Sequence, residues 1–388
     1  MNENLVERRV IGLDVHPDTF TSAAVRGWDA VNASIQWVKG PQPMTELETW
    51  AKANTTEQDT VVLEASGNSF ETVERLEKVG CKALVLESLR AGKIKNTYCN
   101  TDKISAIKIA RVYLSGLAVL VWTPDETTRA RRDIFHRYRR AVTDSSRCRN
   151  RIRSFLSDHG VRLPKGTRLT QSSGLSFMLK AREWTPMQQQ LLRMMQVDLV
   201  HTQTQRQELS RLMALEVVQD KNLLRLIRLF GIRHIVAFAL AAFIGDIRRF
   251  RTPKQLVAYI GLNPRVNLSG QGGFVGSIAH QGRRDLRALL AEAAHAILQH
   301  ANPLRTWGWK LTYRKGKNCA VIAVARKLAV ACWYLMQGMF TPLQEVPATL
   351  KLKICKIVTL IGRKTIREMG YKTSMEYQQC IQLQLMNA

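Results

Sequence analysis

The 388-residue sequence predicts an α/β domain followed by a mostly helical region. Up to about residue 116, three strand-like segments are followed by helix, strand, helix, strand and helix, an order that suits a mixed sheet with helices on its faces. From about residue 124 the composition becomes strongly basic, and two long helical segments are joined by a loop. We therefore expect a fold of class α/β plus α.

The strands of the first domain are predicted where apolar and β-branched residues cluster between turn-forming residues. They are RRVIGLDVH, FTSAAVRG, ASIQWVKG, TVVLEAS and CKALVLES. Three amphipathic segments predict helices: MTELETWAKAN, SFETVERLEKVG, which ends at Gly80, and DKISAIKIARVYLSG, which has Asp102 near its start.

The basic region opens with a predicted helix over residues 129–153 that continues to about Asp158. Thr185 and Pro186 are typical of a helix N-cap followed by proline in the first turn, and predict a second long helix that ends near Val218. The two helices predict a coiled-coil-like arm. Further helices surround a predicted glycine- and serine-rich loop, NLSGQGGFVGSIAHQG. The predicted domains are 1–124, an arm 125–221, 222–340, and a C-terminal tail 341–388 of unassigned role.

The charge of the chain favours a polyanionic partner. Lys and Arg number 58 against 31 for Asp and Glu, which gives a formal net charge of +27 and a pI near 10.3. Nucleic acid is the first expectation and an acidic membrane surface the second. No membrane span is predicted, because the longest uninterrupted apolar run, Ile235 to Gly245, is too short. The seven scattered cysteines form no CxxC pair, which predicts a reduced, cytoplasmic protein without structural zinc.

Three acidic residues mark the ends of predicted elements: Asp14 and Glu64 at strand ends and Asp102 at a helix start. An ordinary strand-end aspartate and an acid that complements the helix dipole are the alternatives for Asp14 and Asp102. A glutamate at the tip of a buried strand is less common, since uncompensated charge is costly there. Together the three acids could converge at one edge of the sheet and hold Mg²⁺ (or Mn²⁺), whose preferred ligands are carboxylate oxygens.

Ser269 lies in the glycine-rich loop and is a second candidate for chemistry. The glycines allow close approach of the backbone to phosphate, and the N–H groups of such a loop can bind an anion. An ordinary turn serine is the alternative, because a serine needs a base or a metal to act as a nucleophile.

Residues 129–153 contain ten arginines and only two aspartates. Arginine binds phosphate bidentately, so this array predicts a nucleic-acid contact, with a solvated helix face as the alternative. The candidate binding residues are Arg129, Arg131, Arg132, Arg137, Arg139, Arg140, Arg147, Arg149, Arg151 and Arg153. Residues 223–250 also suggest a helix-turn-helix or hairpin that could present backbone N–H groups to DNA phosphates.

The combination of these segments resembles the DEDD transposases of the insertion-sequence one-ten/one-one-one-one group, which are relatives of the Piv-type DNA invertases. The matching segments extend from about residue 8 to 335. They are IGLDVH with Asp14, VLEASG with Glu64, NTDKISAIKIARVYLSGLA with Asp102, FRTPKQLVAYIGLNPRVNLSGQGGFVGSIAHQGRRDLRALLAEAA with Ser269, and VIAVARKLA.

The resemblance implies a RuvC-like RNase H fold domain with a four-acid metal site, a coiled-coil arm, and a mostly helical transposase domain with a serine nucleophile. Asp14, Glu64 and Asp102 match the first three acids. Ser269 matches the serine that would attack a phosphodiester and hold the DNA as a phosphoserine. The implied partners are target and donor DNA, a structured noncoding guide RNA, and further copies of the chain in a dimer or tetramer. The expected location is the prokaryotic cytoplasm, in association with the nucleoid.

Ser105 departs from the family pattern, which has an aspartate at the position three residues after Asp102. The hydroxyl removes one negative charge and one strong metal ligand. This loss leaves open a catalytically impaired nucleic-acid-binding relative. Two further functions also stay open: an RNA-independent Piv-like invertase, and a junction-resolving nuclease that uses water and metal without Ser269.

Overall fold

The computed structural model describes residues 7–88, 101–269, 272–279, 281–343 and 347–386. The chain divides into two compact units, Met1–Asp125 and Glu126–Ala388. The predicted arm and the predicted serine-bearing domain belong to one of these units, and the boundary between them stays a prediction.

The first unit contains a mixed six-stranded sheet with the strand order β3-β2-β1-β4-β5-β6. Strand β1 is antiparallel to β2 and parallel to β4, and β4 is parallel to β5. The α/β class predicted from the sequence is confirmed, with a short sixth strand that the sequence analysis missed. The strands are β1 (Arg8–Val15), β2 (Thr19–Gly27), β3 (Ser34–Pro43), β4 (Thr60–Glu64), β5 (Lys82–Leu86) and β6 (Leu120–Val121).

Helices cover both faces of this sheet, which explains why its central strands are apolar throughout rather than alternating. On one face, Ile11 and Leu13 pack with residues of α1 (Leu47–Asn54) and α2 (Ser69–Lys78). On the other face, Val10 and Val62 pack with Ile109 and Ala110 of α3 (Asp102–Leu114). Because successive strand residues point to opposite faces, Gly12 and Asp14 belong with Val10 on the α3 face.

The second unit opens with an antiparallel pair of long helices, α4 (Glu126–Asp158) and α6 (Pro186–Gln219). A short helix, α5 (Ser172–Lys180), lies between the two long helices in sequence, where only a loop was predicted. The predicted N-cap at Thr185 is confirmed: the Gln188 N–H donates to Thr185 Oγ1 at 3.3 Å, and the Thr185 N–H donates to Gln188 Oε1 at 3.0 Å. This reciprocal capping box fixes the start of α6.

The remaining helices of the second unit surround one apolar core. Its central members are α8 (His234–Ile244) and α12 (Lys317–Met336). By length and composition, α12 could cross a membrane, yet 56% of its most apolar stretch is buried inside the protein, as in a core helix. The helices are α7 (Lys221–Leu226), α8 (His234–Ile244), α9 (Pro253–Ile260), α10 (Arg284–Gln299), α11 (Arg305–Lys315), α12 (Lys317–Met336), α13 (Pro347–Ile361), α14 (Arg363–Glu368) and α15 (Ser374–Met386).

The C-terminal tail completes this core. Ile357 and Ile361 of α13, Ile366 of α14, and Ile381 of α15 are buried in the same cluster as α8 and α12. Lys353 of α13 reaches back and donates hydrogen bonds from Nζ to the backbone oxygens of Ile227, Leu229 and Ile232 at 3.0, 2.7 and 2.8 Å. Residues 347–386 therefore have a structural role that the sequence analysis did not assign.

The prediction of a glycine- and serine-rich loop is wrong, since most of this segment forms a β-hairpin. Its strands are β7 (Pro264–Ser269) and β8 (Gly272–Ile278), which pair antiparallel. The high glycine content lowered the apparent strand propensity of this segment.

Candidate active site

Asp14 and Glu64 lie at the carboxyl ends of neighbouring parallel strands. The last paired residues of β1 and β4 are Leu13 and Leu63, so Asp14 and Glu64 occupy the next position on each strand. The alternation that places Val62 against α3 places Glu64, two residues later, on the same face. Both acids therefore belong to the face of the sheet that α3 covers.

Asp102 is brought to this edge by the start of α3. Thr101 caps the helix, and its Oγ1 accepts a hydrogen bond from the Ile104 N–H at 3.4 Å. The helix approaches β1 closely because Gly12 has no side chain: a Cβ there would lie 2.0 Å from the backbone oxygen of Ala106. Asp102, at the first position of α3, consequently reaches the end of β1.

Asp14, His16 and Asp102 each offer a ligand atom, and these atoms all lie within 4.8 Å of one another. The His16 Nε2 is 3.6 Å from Asp102 Oδ1, and both side chains are about half exposed. The His16 backbone is fixed by its N–H, which donates to the Thr19 oxygen at 2.8 Å, and by its oxygen, which accepts from Asn68 Nδ2 at 3.0 Å. This group, the Asp14 cluster, can hold a divalent cation.

His16 was missed by the sequence analysis, although a signal was present. Asp14 and His16 are two residues apart at a strand end, a spacing that puts two side chains on one side of the backbone. Glu64 lies outside the 4.8 Å group, on the neighbouring strand end. The two carboxylates supply the oxygen ligands that suit both Mg²⁺ and Mn²⁺, and the imidazole of His16 adds one nitrogen ligand.

Ser105 lies one turn after Asp102 on the buried side of α3, with 5% of its surface exposed. It is adjacent to Ala106, the residue that contacts Gly12. A carboxylate at this position would be buried next to the Asp14 cluster. The serine hydroxyl adds no charge there.

Ser269 belongs to the second unit, where it ends β7 and pairs with Gly272. The base of its hairpin is tightly built. Gly261 has a φ of +81° and lies so close to the segment after β8 that a Cβ would be 1.8 Å from the Gln281 oxygen. Arg287 Nη1 donates to that same oxygen at 2.8 Å. These contacts fix where the two strands leave the helical core.

Arg283 lies at the foot of this hairpin. Its Nε donates to the Tyr259 hydroxyl at 3.0 Å, and its guanidinium carbon lies 5.3 Å from the centre of the Phe243 ring. The Tyr259 hydroxyl in turn donates to the Phe243 backbone oxygen at 2.8 Å. Arg283 is exposed, so it presents a positive charge beside the serine-bearing hairpin. His280, three residues before Arg283, lies outside the described residues.

The ten candidate arginines of α4 divide into three groups by contact and exposure. Arg131 donates to Glu216 and Asp220, both at 2.7 Å, and Arg132 donates to the Ala242 oxygen at 2.9 Å, so these two tie α4 to its own unit. Arg129 is half-buried, as is Arg149. The exposed members, Arg137, Arg139, Arg140, Arg147, Arg151 and Arg153, form the surface that we call the arginine face. Within it, Arg139 is 3.3 Å from Asp285 and Arg147 is 3.3 Å from Asp144.

Most of the second helix of the suggested helix-turn-helix at residues 223–250 is buried. Every residue of α8 from Ala237 to Ile244 is buried. The apolar composition of this helix reflects a position in the core, where residues 237–244 cannot contact a nucleic acid.

Comparison with known proteins places these features in context. Residues 224–307, which include Ser269 and Arg283, match the family model described as Transposase IS116/IS110/IS902 family. The chain is 28% identical over 192 residues to the transposase for insertion sequence element IS1111A of Coxiella burnetii, covering 48% of this chain and 53% of that protein. It is 26% identical over 216 residues to the transposase for insertion sequence element IS1328 of Yersinia enterocolitica, covering 54% of this chain and 64% of that protein. The chain thus spans between half and two thirds of the length of these curated relatives.

Proposed function

The chain belongs to the IS116/IS110/IS902 family of transposases, and from this premise we propose that it is a site-specific DNA recombinase of an insertion sequence. The observation that carries the proposal is the convergence of Asp14 and Asp102, which are distant in sequence, at the carboxyl end of a central strand. Acids gathered at such an edge support a RuvC-like RNase H fold for the first unit.

In this proposal the metal-binding residues are Asp14 and Asp102, with His16 as a third ligand and Glu64 beside them. Their oxygen-rich donor set fits Mg²⁺ or Mn²⁺. A bound ion of this kind supplies a Lewis acid that offsets negative charge on a phosphodiester. The chain's own contribution is to hold the carboxylates in place through the close contact of α3 with β1.

Ser269 is the proposed nucleophile. Its Oγ would form a bond to the phosphorus of a DNA phosphodiester, the bond to the leaving deoxyribose oxygen would break, and the hydroxyl proton would pass to solvent or a base while the leaving oxygen gains one. Attack by the hydroxyl of a second DNA strand would reverse these bond changes and free the serine. The firm base of the hairpin supports this role, because a nucleophile must be held in a defined position.

The proposed partners are inferred from the positive charge of the chain and from its family. The arginine face offers guanidinium groups to the phosphates of target and donor DNA. We further propose that a structured noncoding RNA guides the choice of DNA and that the chain works as a dimer or tetramer, with the paired helices α4 and α6 as a coiled-coil arm. The net charge of +27 supports binding of more than one polyanion.

The test is recombination of paired target and donor DNA by the purified protein with Mg²⁺ and the candidate RNA. Ser269→Ala is expected to abolish strand exchange, whereas Ser277→Ala, an exposed serine in the opposite strand of the same hairpin, is expected to leave it unchanged. Asp102→Asn is expected to abolish it as well. Exchange by the Ser269→Ala protein would refute the serine mechanism. Undiminished exchange without RNA would identify an RNA-independent invertase instead.

A further inference from the structure

Helix α11 presents a surface of exposed aromatic rings that the proposed recombination chemistry does not use. Its sequence is RTWGWKLTYRK. Trp307, Trp309 and Tyr313 are 38%, 43% and 85% exposed. Large rings are costly to leave in water, so three on one short helix call for an explanation beyond scattered surface apolar residues.

The rings are interleaved with positive charge. At 100° per residue, Trp309 and Tyr313 lie one turn apart on the outward side of the helix. Lys310 and Arg314 directly follow these two rings in sequence and lie next to them on the same exposed side. The helix contains four cations and no acid. Lys327 of α12 adds a further cation, with its Nζ 4.9 Å from the centre of the Trp307 ring. We call Trp307, Trp309, Lys310, Tyr313 and Arg314 the aromatic face.

Helix α11 is anchored to its neighbours through buried Gly308 and through the indole N–H of Trp309. Gly308 is buried and faces the side chains of Leu298 and Val324. Trp309 Nε1 donates to the Leu298 backbone oxygen at 2.9 Å, and its ring lies 6.2 Å from that of Tyr313. The rings are therefore held on a rigid element, which lowers the entropy that a ligand must overcome on binding.

We propose that the aromatic face binds unpaired nucleotides of a single-stranded RNA. Bases would stack on Tyr313 and Trp309, while Lys310 and Arg314 contact the adjoining phosphates. Stacking on aromatic side chains beside a basic track is how proteins hold single strands, and it tolerates any base sequence. Duplex DNA keeps its bases stacked on one another and offers no free base face. The inference rests on the proposed function in one respect: the single-stranded partner of that function is the guide RNA.

The test is a binding titration of the full-length protein with three labelled probes: oligouridylate, oligothymidylate and a mixed-sequence DNA duplex. Tyr313→Ala removes an exposed ring and is expected to weaken oligouridylate binding by at least about fivefold. Its effect on duplex DNA is expected to stay within a factor of two. Tyr313→Trp is expected to restore RNA affinity. Phe340→Ala, which removes a ring that is 78% exposed outside the aromatic face, is the matched control and should change none of the three affinities.

An unchanged RNA affinity in Tyr313→Ala, or an equal loss for RNA and duplex DNA, would overturn the proposal. A loss for oligothymidylate without a loss for oligouridylate would assign the surface to an unpaired DNA strand and also overturn it. The titration requires no strand exchange. A failure of the RNA-guided recombinase proposal would appear in the recombination assay, and a failure of the stacking proposal would appear here.

Discussion

Gly12 and Ala106 are in direct backbone contact: a Cβ on Gly12 would lie 2.0 Å from the Ala106 oxygen and 2.9 Å from the Ala110 nitrogen. This contact joins the central strand to the helix that carries Asp102. It fixes the distance between Asp14, two residues after Gly12, and Asp102, four residues before Ala106.

Gly12→Ala is expected to push α3 away from β1, because neither backbone can yield as a flexible side chain would. We expect a loss of about 1–3 kcal/mol in the free energy of unfolding, together with weaker Mn²⁺ binding. Thermal unfolding with and without Mn²⁺ measures both effects. Gly67→Ala is the control, since a Cβ there meets nothing within 4 Å. Equal behaviour of the two variants would show that the contact does not position the Asp14 cluster.

Ser105→Asp is expected to raise affinity for Mg²⁺ or Mn²⁺ and to lower stability in their absence. The position is buried, so an added carboxylate is unfavourable until a cation compensates it. Isothermal titration calorimetry with Mn²⁺ measures the affinity, and thermal unfolding without metal measures the stability. Ser115→Asp adds the same charge at the C-cap of α3, about 15 Å from Ser105 along the helix axis, and should leave metal affinity unchanged. Unaltered affinity in Ser105→Asp would mean that a fourth acid does not limit the site.

His234 predicts a pH dependence of stability in the second unit. Burial, together with the neighbouring Arg233, lowers the pKa of His234 to about 4, and its Nε2 lies 2.9 Å from Ser210 Oγ. Between pH 6.5 and 4 the unfolded chain binds a proton that the folded chain excludes. Stability therefore falls as the pH falls through that window and levels off below it. His234→Gln should reduce the change of the denaturation midpoint with pH over this window, relative to the wild-type protein. The same replacement of the exposed His201 should leave the pH dependence of the midpoint unchanged.

Lys353→Met should destabilise the second unit. The Lys353 ammonium group donates three hydrogen bonds to the backbone oxygens of Ile227, Leu229 and Ile232. A buried carbonyl left without a hydrogen bond costs about 1–3 kcal/mol. Urea unfolding measures the loss. Lys356→Met, one turn further along α13 and exposed, is the control. If both substitutions had the same small effect, the C-terminal helices would not be fastened to the core through Lys353.

Long elements with a clear period were predictable from sequence. The strand around Leu13 and the helix capped by Thr185 were identified, because apolar runs and capping residues are local signals. The hairpin that carries Ser269 was missed because its glycines suggest a loop and the pairing that makes them strands is not local.

The site was predictable only in part for the same reason. Asp14 and Asp102 could be chosen as strand-end and helix-start acids, yet the distance between them depends on the contact between Gly12 and Ala106, which no local pattern reports. His16 was not predicted, because the metal site was inferred from carboxylates alone. The burial of α8 likewise depends on what surrounds it, so a helix-turn-helix and a core helix look alike in sequence.

The central claim, that Ser269 forms a covalent bond to DNA, is tested most directly by locating the bond. Protein stalled on a DNA substrate in the presence of Mg²⁺ is digested with protease and nuclease, and the peptides are analysed by mass spectrometry. We expect a nucleotide mass at Ser269 on the peptide that contains it, and none on the corresponding peptide of the Ser269→Ala protein. A nucleotide attached to a different residue, or recombination without any covalent adduct, would contradict it.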